Sequence, residues 1–112
     1  MSTPKALLKA LDKRDGHLCA WSGIDTGQLV PQHRQGGMGG RRDKHRLSNL
    51  VWLDSLINGL IESDPLYQSV AIQRGIKVSG FADPTVTLID HAVHGCVYLD
   101  DEGGFRALVQ GR

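Results

Sequence analysis

No apolar run in this 112-residue chain approaches the length needed to cross a membrane. The first residues, MSTPKALLKALDKRD, are amphipathic and lack the apolar core of a secretory signal, so the expected address is cytoplasmic. Only two cysteines occur, Cys19 and Cys96. That is too few for a disulfide scaffold, and both are expected as free, buried thiols. Internal repeats and low-complexity tails are also missing. With 40% hydrophobic and 22% charged residues, the chain reads as one globular domain, 1–112. From Val78 to Phe105 there is no Lys or Arg, against five acids: Asp83, Asp90, Asp100, Asp101 and Glu102. The basic charge sits elsewhere. Arg34, Arg41, Arg42, Lys44 and Arg46 fall within 13 residues that hold one acid, Asp43, which suits a phosphate-bearing partner although the net charge is only +1.

Thr3 before Pro4 predicts a helix start, and the apolar stripe from Ala6 to Leu11 carries that helix to Asp15-Gly16. HLCAWSG and GQLVPQHR read as two short strands joined by turn residues 23–27, forming a small hairpin. A polar, glycine-rich loop, QGGMGGRRDKHRLS, follows. NLVWLDSLINGLIES then reads as one amphipathic helix, with Asn49 as its simplest cap. Asp64-Pro65 kinks that helix or starts another, which runs to Gly75. Short strands are expected at IKVSGF, at TVTLI and in CVYLDDEGGFRALV, the last turning at residues 101–104.

Singly, a histidine at a strand end or an asparagine before a helix says little. Their order says more: strand, His33, basic glycine-rich loop, Asn49, then Asn58 nine residues on. This pattern resembles the HNH endonuclease family over roughly residues 14–63, in RDGHLCAWSG, LVPQHR and SNLVWLDSLIN. It is most similar to phage and actinobacterial members with HHR followed by GMGG and a later WIES, here LIES at residues 60–63. Asp83-Pro84 and the LDDEGG turn extend the likeness towards the end of the chain.

The resemblance implies an α+β fold: a ββα-metal (His-Me finger) core, an N-terminal helix, a helix-and-strand extension over about 64–112 and a small C-terminal hairpin or sheet. It implies a phage-encoded, metal-dependent DNA endonuclease or nickase that hydrolyses phosphodiester bonds in the cytoplasm of a bacterial host. His33 matches the general base, since a neutral imidazole of pKa ~6.5 can take a proton at physiological pH. Asn49 matches the residue that fixes the catalytic loop and the orientation of the base. Gln32 and Asn58 match the metal ligands for Mg²⁺, Mn²⁺ or another divalent cation. Arg34, Arg41, Arg42, Lys44, His45 and Arg46 would contact nucleic acid, with the glycines at 36, 37, 39 and 40 letting the backbone approach phosphates.

The pattern is broken in two places. The first metal ligand is normally His or Asp, and Gln32 is a weaker, neutral one. Of the two CxxC pairs that staple many members with zinc, the aligned positions hold Cys19, Ser22, Asp54 and Ile57, so no structural zinc is expected. Leu18, Trp21, Val51, Trp52 and Leu53 must replace it by packing. His17, His91 and His94 lie outside the motif, and no second metal site is expected there. The alternative to catalysis is a degenerate HNH fold kept as a nucleic-acid-binding module, or as a scaffold whose acidic hairpin binds a phage packaging factor or a host protein.

Overall fold

The computed structural model describes residues 3–35 and 45–108. Helix α1 spans Lys5–Asp15 and ends where Gly16 takes a left-handed conformation (φ 69°) and its N–H bonds the Asp12 carbonyl. Strand β1, Leu29–His33, pairs antiparallel with β2, Leu50–Asp54, in a register that sets His33 opposite Leu50 and Gln32 opposite Val51. Pro31, which lacks an amide donor, is tolerated because β1 is an edge strand.

The pairing corrects the expected hairpin. Residues 17–23 form no strand; they fold into a tight turn, with Gly23 N–H bonded to the Cys19 carbonyl, and reach β2 through Ala20 N–H on the Trp52 carbonyl and Asp54 N–H on Cys19 Sγ. The strand that pairs with β1 is LVWLD, expected as the first turns of a helix. Every residue of β2 is buried, because its two faces enter two different cores. Val51 and Leu53 pack with Cys19, Ile61, Ile76, Ile89 and Leu99, whereas Leu50 and Trp52 pack with Leu11 and Leu47. A strand buried on both faces shows no alternation, and its apolar run then imitates a helix segment.

Helix α2, Ser55–Ser63, begins where the Asp54 carboxylate accepts the N–H groups of Leu56 and Ile57. Asp64 caps a separate helix α3, Pro65–Gln73, with proline at its first position, so the chain starts anew at Asp64-Pro65. Gly75 (φ 75°) then passes so close to residue 88 that a Cβ would lie 2.0 Å from the Leu88 carbonyl oxygen.

IKVSGF forms no strand, and of TVTLI only Ile89 enters one. The second sheet is β3 (Ile89–His91), β4 (Gly95–Leu99) and β5 (Phe105–Ala107), all antiparallel, with β4 central. Among the described residues the fold is therefore α+β, with three α-helices and two small antiparallel sheets. Among the described residues no helix is long and apolar enough to cross a membrane. Cys19 is buried, but Cys96, expected buried, is exposed.

Candidate functional site

The run β1, β2, α2 is a strand–strand–helix unit, and three of the residues singled out in the sequence meet at its junction. Gln32 and His33 at the end of β1 and Asn58 on α2 line one pocket of about 280 Å³. Leu53, Ile61 and Ile76 give it apolar walls. Two charged residues to which the sequence reading gave no role also line it: Glu62, one helical turn after Asn58 and part of the LIES stretch, and Lys77, just beyond α3. Their charges pair loosely, with Lys77 Nζ 3.6 Å from a Glu62 carboxylate oxygen. The i, i+4 spacing of Asn58 and Glu62 was readable as a shared helix face. The approach of Lys77 depends on tertiary packing and had no sequence signal.

His33 has a second histidine beside it. Its Nε2 lies 3.1 Å from His45 Nδ1, with ring centroids 5.0 Å apart. One of these two nitrogens must carry the shared proton. His45 Nε2 is buried with no hydrogen-bond partner. His45, expected as a nucleic-acid contact, is placed here as a partner of His33.

Asn49 is wholly buried in a 3-10 turn, Leu47–Asn49, immediately before β2. It is not a helix cap. Its side-chain Oδ1 accepts the Gln35 N–H at 2.8 Å, and its backbone carbonyl accepts the Arg34 N–H at 2.7 Å. Asn49 thus grips the two residues that follow His33.

Arg34 requires a correction. Expected at phosphate, it is 1% exposed and donates to four backbone carbonyls, those of Gly75, Ser48, Pro84 and Thr87. Burial, with the charge of Arg14 adding to it, pulls its pKa down to about 10, which still leaves it cationic at neutral pH. It is a structural crosslink and cannot also reach a nucleic acid. Arg46 is likewise engaged, bonding Asp101 at 2.7 Å and approaching Asp83 at 3.6 Å. Burial alone would raise the Asp101 pKa, but hydrogen bonds from Arg46 and Ser48 outweigh it and hold the carboxyl below its ordinary value. Part of the acidic hairpin therefore faces inward, against the segment before β2. Arg41, Arg42, Lys44 and the four loop glycines lie outside the described residues.

Away from the pocket, Asp15, His91 and His94 bring three atoms of metal-ligating type within 4.8 Å of one another. The Asp15 carboxylate already takes both arms of the Arg14 fork, at 2.7 and 2.8 Å. The Val93 N–H donates to His91 Nδ1, which fixes the His91 proton on Nε2, facing Asp15. His94 Nε2 meets the other carboxylate oxygen at 2.9 Å, and its ring stacks on Phe105. With a guanidinium on the carboxylate and the proton of one imidazole committed, the group is a charge-balanced clasp between α1 and the second sheet. A cation would have to displace the His91 proton and share the carboxylate with the Arg14 guanidinium.

The donors in the pocket are different: amide oxygens from Gln32 and Asn58 and a carboxylate from Glu62, with the imidazole of His33 adjacent. Such an oxygen-rich set fits a hard cation such as Mg²⁺ or Mn²⁺ rather than zinc. Comparisons with protein-family models, with curated proteins and with solved structures find no match to this chain.

Proposed function

We propose that the chain is a metal-dependent, HNH-type DNA endonuclease or nickase of phage origin, built on a ββα-metal (His-Me finger) unit. The observation that carries this reading is the convergence of Gln32, His33 and Asn58 on one pocket at a strand–strand–helix junction. His33 takes a proton from the attacking water, whose oxygen bonds to phosphorus. The bond from phosphorus to the leaving sugar oxygen breaks, and that oxygen acquires a proton from solvent. Gln32 and Asn58 would hold a divalent cation through their amide oxygens, and the bound cation would supply positive charge for the phosphate and the leaving oxygen. Asn49 fixes the backbone that follows the base, and the hydrogen bond between His33 Nε2 and His45 Nδ1 orients the imidazole of the base.

Nicking of supercoiled plasmid tests the proposal. Wild type is expected to nick with Mg²⁺ or Mn²⁺ and to stop in chelator, while His33→Ala loses about 10²-fold or more of the rate. Folded wild type that leaves the plasmid intact under Mg²⁺, Mn²⁺ and Ni²⁺ would sink the proposal.

A further inference from the structure

We infer that Glu62 is the anionic ligand of the cation at this pocket and that Lys77 is its counter-ion when no cation is bound; this rests on the metal-dependent reading of the site. Two amides bring no charge to a divalent ion, and Glu62 is the one acid among the described residues lining the pocket. Four residues separate it from Asn58 on α2, so both side chains rise from one helix face. Glu62 also sits in the last turn of its helix, where the backbone carbonyls point outward and disfavour an anion but favour a cation. Its position therefore serves the helix poorly and a bound cation well.

The pairing with Lys77 is suited to exchange. At 3.6 Å it is longer than a hydrogen bond, and the Glu62 side chain is 60% exposed, so the carboxylate can turn to a cation at little cost. Lys77 would then be released at the edge of the pocket, where its ammonium can meet a phosphate oxygen of the substrate.

The test is Mn²⁺ binding to the full chain without DNA, followed by the paramagnetic resonance signal of free Mn²⁺. Glu62→Gln, an exposed isosteric change that keeps the fold, is expected to weaken binding about tenfold or more. Lys77→Met is expected to tighten it, because the competing cation is gone. Glu62→Gln binding Mn²⁺ as tightly as wild type, or wild type binding none at millimolar Mn²⁺, would overturn the inference. Glu62-dependent binding in a protein that cuts no DNA would uphold the ligand assignment and remove the nuclease reading. Metal-dependent nicking unaffected by Glu62→Gln would do the reverse.

Discussion

His33 and Arg34 are neighbours in the chain with opposite fates. His33 faces a pocket; Arg34 is swallowed by the fold and holds four carbonyls from three separate segments. Arg34→Met should leave those carbonyls without donors and cost at least about 3 kcal/mol, seen as a lower midpoint in urea unfolding. Arg34→Lys should recover only part, since one ammonium cannot span the four acceptors that a guanidinium fork reaches. The sequence showed Arg34 only as the first of a basic group, because its partners at residues 48, 75, 84 and 87 meet only in the folded chain. His45 was hidden in the same way. On the proposed mechanism, His45→Ala should lower kcat for nicking about five- to tenfold, the worth of one hydrogen bond, with KM for DNA unchanged. His45→Gln, which keeps a hydrogen-bonding group, should restore part of the loss; a change in KM alone would assign His45 to substrate binding.

Among the elements, α1, the break at Asp64-Pro65, and the hairpin of β4 and β5 were legible from local signals. Strand β2 was not. Leu50, Val51, Trp52 and Leu53 feed two cores from one strand, and a wholly apolar run has no periodicity that separates strand from helix. The overlooked local sign was Asp54, whose carboxylate caps the helix and is held below its usual pKa by Thr26 and by the backbone N–H groups of Ile57 and Leu56. Misplacing β2 also misplaced the partner of β1, since a hairpin drawn to residues 17–23 leaves no strand at 50–54. The expected strand at IKVSGF failed for another reason: Gly75 must turn with positive φ against residue 88, and the chain after it runs over Arg34, with Val78 N–H on the Arg34 carbonyl. Gly75→Ala meets both a left-handed conformation and a 2.0 Å backbone contact, so it should destabilise by about 2 kcal/mol or more in urea unfolding. A loss near the few tenths expected of an ordinary surface site would show that the two segments can separate freely.

At the scale of the whole molecule, the clasp of Arg14, Asp15, His91 and His94 joins the first helix to the last sheet and makes stability depend on pH. Burial would raise the Asp15 pKa, but hydrogen bonds from Arg14 and His91 outweigh it and hold the carboxyl well below the ordinary 3.8. Burial depresses His91 below the ordinary 6.5 despite its bond to Asp15. Both shifts mean that the unfolded chain binds more protons than the folded one. Stability should therefore be fully present above about pH 6.5, decline as pH falls through the His91 window, and fall further below about pH 4 as Asp15 is titrated. Urea unfolding between pH 3 and 8 checks this, and Asp15→Asn should lower stability at pH 7 and flatten the acid limb. The clasp joins residues 76 and 79 positions apart, which is why His91 and His94 read in sequence as spare histidines. The proposed activity of the molecule turns on whether His33 moves a proton, and chemical rescue asks this most directly. In a supercoiled-plasmid assay with Mg²⁺, wild type should nick, His33→Gly should not, and added imidazole should return measurable nicking to His33→Gly alone. Folded wild type that leaves the plasmid intact, or His33→Gly that nicks as fast as wild type without imidazole, would contradict the account.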